Sequence, residues 1–142
     1  MSEIVQQISA KALIVGRDGR VLLLQESSRH GNTHAGRFGL AGGRLDIGES
    51  YNDALLREVK EETGLHVTIG DPLYLGEWRP VIDGVTCQIV AIFSICYATS
   101  SEVVVSDEHT SHRWICGSEV GQIDFMPPDD EVVKKYFTLM EK

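Results

Sequence analysis

Residues 42–65, GGRLDIGESYNDALLREVKEETGL, constrain this chain more than any other stretch, because they spell a helix with a charge pattern that a plain soluble helix would avoid. The run from Ser50 to Thr63 has helical periodicity, with Leu55, Leu56, Val59 and Thr63 on a packing face. Ser50 suits the amino-terminal cap, Asp53 three residues on fits a capping box, and Gly64 suits a left-handed carboxyl cap. Glu58, Glu61 and Glu62 share an adjacent arc, because their i, i+3, i+4 spacing stacks them on one side. Like charges one turn apart repel, and Glu49 and Asp53 add further acidity at the front of the helix. Either the arc is a solvated acidic face balanced by Arg57 and Lys60, or a cation completes it.

The whole chain tilts the same way. Its 142 residues fit one domain, residues 1–142, with 42% hydrophobic and 24% charged residues, as in an ordinary soluble globular protein. A net charge of −8 argues against a nucleic-acid partner, and it suits a metal-assisted enzyme that handles anions. Cys87, Cys96 and Cys116 have no C-x-x-C spacing, so neither a zinc site nor a disulfide framework is expected. The opening MSEIVQQISAKALIVG lacks a basic region followed by an apolar one, and no run reaches the ~18 apolar residues of a membrane span. No membrane partner is expected, and the cytoplasm is the default location.

Around the helix, the text predicts mainly strands. Residues 9–27 form a hairpin turning at Asp18-Gly19, residues 27–39 a glycine-rich basic loop, and residues 40–43 a short strand. HVTIGDPLYLGEWRP gives strands broken at Gly70-Asp71-Pro72. A turn at Asp83-Gly84 leads into a strand over residues 85–99, and a loop leads into a strand around His112 to Ile115, with Trp114 in the core. A final amphipathic helix runs from Pro127 to Met140 and packs through Val132, Val133, Tyr136, Phe137 and Met140. The expectation is a mixed α/β layered domain.

Three carboxylates on one arc are hard oxygen ligands, which select Mg²⁺, Mn²⁺ or Ca²⁺ over zinc. Gly43, five residues, Glu49, seven residues, then Arg57-Glu58-Val59-Lys60-Glu61-Glu62-Thr63-Gly64-Leu65 resembles the Nudix box, G-x5-E-x7-R-E-U-x-E-E-x-G-U with U aliphatic, without a mismatch. The resemblance implies an α/β/α sandwich with a mixed β-sheet, and a hydrolase that cleaves a nucleoside diphosphate linked to another moiety. It implies Mg²⁺ or Mn²⁺ held by Glu58, Glu61 and Glu62, with support from Glu49 and a backbone carbonyl of Gly42 or Gly43, and Arg57 orienting the carboxylates. The metal would orient a water and lower its pKa, and a carboxylate would take the proton as the water attacks phosphorus. Both Glu58 and Glu108, in the loop SDEHTSHRW, are candidates for that base.

Many relatives carry W-x-L-P-G-G before the box, where this chain has Phe38-Gly39-Leu40-Ala41-Gly42-Gly43, a change that affects loop geometry and substrate fit. Arg29, Arg37, Phe38, Trp78 and Arg79 are the candidate substrate contacts; His30 and His34 crowd the same loop as the first two, which also suits a solvated loop balancing an acidic protein. His109 and His112 form only a weak His-x-x-His signal. Pro80, sixteen residues after Gly64, resembles the ADP-ribose-cleaving branch, whereas the hairpin-loop-box beginning equally suits cleavage of nucleoside triphosphates, oxidised purines included. The rival reading is a Nudix-like domain that senses nucleotides without turning them over, although such domains typically lose box carboxylates and this chain keeps all of them. Messenger-RNA decapping is disfavoured by the acidity. The resemblance also makes a homodimer compatible.

Overall fold

Alternation along one strand sets the layering. In β1 (Ile4–Val15), Ala10, Ala12 and Ile14 enter one buried cluster while Leu13 and Val15 enter another, so both faces of this strand are covered. The computed structural model describes residues 3–141. Along the chain follow β2 (Val21–Glu26), β3 (Phe38–Gly39), β4 (Ala41–Arg44), helix α1 (Tyr51–Thr63), β5 (Val67–Trp78), β6 (Val81–Ile82), β7 (Val85–Ala98), β8 (His109–Ile115) and helix α2 (Asp129–Met140). The sheet runs β3-β2-β1-β7-β5, with β4 added on β1, β6 on β7 and β8 on β2. It is mixed: β1 and β7 run parallel over twelve residues, from Ile4–Thr86 to Val15–Tyr97, and the remaining pairs are antiparallel.

Helix α1 covers one face through Ala54, Leu55 and Val59, and α2 covers the other through Val132, Val133 and Tyr136, which gives the expected α/β/α sandwich. The caps of α1 form as expected: the Ser50 hydroxyl accepts from the Asp53 N–H at 3.1 Å, and Gly64 takes the left-handed conformation at φ 74°. The Tyr51 hydroxyl, 2.8 Å from both the Ile92 carbonyl and the Ser94 hydroxyl, ties the front of α1 to β7.

Several expectations are corrected. Leu56 is 40% exposed, because the buried arc of α1 is turned toward Ala54 and Glu62. Gly70-Asp71-Pro72 does not break the strand; β5 continues through it as an irregularity, with register shifts on either side of Pro72. The last helix begins at Asp129, after Pro128, and Met140 is exposed. Strand β8 begins earlier than expected, at His109, and β4 is displaced by one residue to Ala41–Arg44. Trp114 is half-buried against the α1-side cluster. The three cysteines are free, and no helix is long and apolar enough to cross a membrane among the described residues.

Candidate active site

Strand β4 lies on β1 with Lys11 opposite Gly42 and Ala10 opposite Gly43. The two glycines answer different needs. A Cβ on Gly42, where φ is 136°, would stand 2.3 Å from the Ala10 carbonyl oxygen, so this residue lets β4 press against β1. A Cβ on Gly43 would stand 2.6 Å from Glu58 Oε1, so this residue lets the α1 carboxylate reach the strand. The Gly42 N–H then donates to Glu62 Oε1 at 2.6 Å.

The three box glutamates sit in unlike environments. Glu62 is 7% exposed, and burial pushes its carboxyl up to about 7, opposed by the nearby Lys11 ammonium. Burial also raises Glu58, against the pull of Arg57. Glu61 stays open, with its side chain 57% exposed. Arg57 joins them: its Nη1 donates to Glu58 at 3.0 Å and to Glu61 at 3.3 Å, and its Nε and Nη2 grip Glu49 at 2.8 and 2.9 Å. That two-point grip, with the Asp46 N–H as a further donor, holds Glu49 down at about 2. The same grip raises Arg57, which stays charged.

Glu58, Glu61 and Glu62 line one cleft of about 470 Å³ with Gly42, Gly43 and Arg44, and the far wall is Arg29 with residues 106–108. The donor chemistry fits a hard divalent cation. Among the described residues no three side chains converge on a metal-ligating point as they stand. Arg57 draws Glu58 and Glu61 to itself while Glu62 turns to Gly42, so coordination would require Glu58 and Glu61 to swing away from the guanidinium.

The structure brings together Glu58, Glu61, Glu62, Gly42, Glu108 and Arg29, with Glu49 and Arg57 directly behind them. Arg29 pairs with Asp107 on the far wall. Trp78 and Arg79 instead line a second hollow of about 720 Å³, together with His34, Lys11 and Asp129. Arg37 faces Asp124 at 3.8 Å, and the Phe38 ring packs against the α2-side core; neither lines the cleft or the second hollow. His109 is buried and His112 exposed, so the two do not form a pair; the side chain of His30 lies outside the described residues.

Lys11 and Asp129 are the residues that sequence reasoning missed. Asp129, 1% exposed, accepts from the Leu40 N–H at 2.8 Å, while Lys11 Nζ donates to the Leu40 carbonyl at 3.1 Å. Lys11 pulls on both Glu62 and Asp129, so its ammonium stands between the cleft and the second hollow. A single lysine inside the apolar run of β1 was the available signal for the first. The second was hidden in PPDD, which equally reads as the start of a helix.

A family model described as the NUDIX domain matches residues 5–138. The chain is 27% identical over 135 residues to the CTP pyrophosphohydrolase of Escherichia coli (strain K12), covering 95% of each chain. It is 29% identical over 118 residues to the nucleoside triphosphatase NudI of Enterobacter sp. (strain 638), covering 78% of this chain and 83% of that one. Among solved structures, the MutT protein from Methanosarcina mazei Go1 matches with a TM-score of 0.78 at 28% identity, covering 100% of this chain and 99% of that one.

Proposed function

The chain belongs to the Nudix family of hydrolases acting on nucleotide derivatives, and from that membership we propose that it cleaves nucleoside triphosphates to monophosphate and pyrophosphate with Mg²⁺ or Mn²⁺. The observation that carries this reading is the adjacency of two unlike hollows. One is walled by carboxylates for a metal–phosphate group, and the other holds an aromatic, Trp78, beside the buried Asp129 and Lys11, a lining suited to a base. A nucleotide reaches from one to the other past Lys11. The relatives named for CTP and nucleoside triphosphates favour this branch over the ADP-ribose branch.

Glu58, Glu61 and Glu62 would hold the cation, with Glu49 behind them, and the cation supplies charge neutralisation and a water of lowered pKa. The chain's own groups do the rest. Arg57 fixes Glu49 from one side and holds Glu58 and Glu61 side by side through its Nη1. Arg29 and Arg44 line the cleft and meet phosphate oxygens. Of the two candidate bases we favour Glu108, because Glu58 is already engaged by Arg57, whereas Glu108 makes no ion pair among the described residues and stands on the opposite wall. It takes a proton from the water as the new P–O bond forms; one bridging P–O bond breaks, and pyrophosphate leaves as the anion.

The test is product analysis with nucleoside triphosphates, ADP-ribose, other nucleotide sugars and dinucleoside polyphosphates, each with Mg²⁺, Mn²⁺ or chelator. Monophosphate and pyrophosphate are expected from a triphosphate, with at least about 10²-fold loss in chelator. Turnover of ADP-ribose alone, or triphosphate cleavage that ignores the chelator, would overturn the reading.

A further inference from the structure

Strand β8 pairs with β2 in register until Gln25 meets Ser111, and the next pair is Glu26 with His109, so Thr110 is an extra residue. Such a bulge re-aims the side chain beyond it. Glu26 shares the face of Leu22 and Leu24, which is the α1 face, and the bulge brings His109 onto that face beside it. His109 is 8% exposed, and its Nε2 lies 2.7 Å from Glu26 Oε2. Its Nδ1 is buried without a partner among the described residues, so Glu26 is the ring's one polar tether there. The other Glu26 oxygen accepts from Asn32 Nδ2 at 3.0 Å, in the loop that lines the second hollow.

Around this pair the chain is clasped again. The Ser27 N–H donates to the Glu108 carbonyl at 3.0 Å, the His109 N–H to the Ser106 carbonyl at 3.1 Å, and Arg29 pairs with Asp107. Every tie converges on the turn that carries Glu108 into the cleft. We propose that Glu26 and His109 are positioning residues: the buried pair, aimed by the β8 bulge, holds residues 106–109 so that Glu108 faces the substrate, and it links that turn to the loop at the second hollow. The proposal rests on the assignment of Glu108 as the base.

The test is a double-mutant cycle. Glu26→Ala is expected to lower kcat by about 10- to 100-fold, the range seen when a group supporting a reactive residue is lost, with KM changed by less than about threefold. Glu26→Gln, which keeps an oxygen for the ring N–H, is expected to stay within about threefold of wild type. In a Glu108→Gln background, Glu26→Ala should cost less than about twofold more, because its effect runs through the missing carboxylate. His109→Gln should repeat the pattern if Glu26→Ala fails to fold. In chelator-treated protein, amide exchange at Ser27 and His109 should quicken in Glu26→Ala. Fully multiplicative losses would overturn the positioning role. Wild-type turnover in Glu108→Gln would remove the base assignment alone; the clasp then stands or falls on the amide exchange, and unchanged exchange at Ser27 and His109 overturns it.

Discussion

Glu62→Gln is expected to lower kcat by on the order of 10³-fold while making the chelated protein more stable near pH 7.5. The first effect follows from the proposed role of Glu62 as an anionic ligand for the metal, whose charge stabilisation in the transition state is worth several kcal/mol. The second follows from burial. The folded-state pKa of Glu62 is about 7, against an ordinary 4.5, so the folded protein holds a proton that the unfolded chain releases between those values. Stability of the metal-free protein therefore falls as pH rises through that window, by about 3 kcal/mol once Glu62 is fully ionised. Glutamine keeps an oxygen for the Gly42 N–H without the buried charge, and Lys11 retains the Leu40 carbonyl.

Melting curves in chelator at about pH 5 and about pH 7.5 are expected to separate for wild type and to lie closer for the variant. Burial shifts Glu58 and Asp129 in the same direction, so it is the difference between variant and wild type that isolates Glu62. Equal pH slopes for the two proteins would show that Glu62 does not titrate there. Added Mg²⁺ should stabilise wild type far more than the variant, by mass action on the folded state.

Gly42→Ala is expected to destabilise the fold by about 3–4 kcal/mol, at the large end for a single substitution. A methyl there would lie 2.3 Å from the Ala10 carbonyl oxygen and 2.7 Å from Lys11 Cα, backbone atoms that move only if β4 leaves β1. Gly64 supplies the control, because its φ of 74° is also left-handed but its nearest neighbour to a Cβ is 3.8 Å away. Gly64→Ala should cost only about 1–2 kcal/mol of backbone strain. Urea denaturation of the two variants separates close approach from strain; equal costs would mean that β4 does not press on β1 as described.

Local signals explain what the sequence disclosed. The helix, its caps and its glutamate arc depend on residues within one or two turns of each other, so Ser50, Glu58, Glu61 and Gly64 are legible as text. Leu56 misled because periodicity alone does not fix how a helix is rolled: the Gly42 N–H makes burial of Glu62 tolerable, and this turns Leu56 outward. Lys11 and Asp129 escaped notice because their meaning comes from partners far along the chain, both of them groups of Leu40. His109 carried a weak signal for another reason. Its direction is set by an extra residue in β8, which shows only once the pairing with β2 is known.

The parallel pairing of β1 with β7 sets a timetable for synthesis. Ile4 finds its partner only at Thr86 and Val15 only at Tyr97, so the strand that supports β4, and through it the cleft, stays half-paired until the chain has grown past that point. Pairings this distant are slow to close, because a long loop must be ordered before any contact rewards it. During translation the glutamates of α1 emerge well before Tyr97, Glu108 and Asp129, and for that interval a 13-residue segment, too short to hold a helix alone, lacks the opposite wall of its cleft. The nascent chain therefore carries the whole motif before the cleft has both of its walls, and the cleft is completed only when the sheet closes around it.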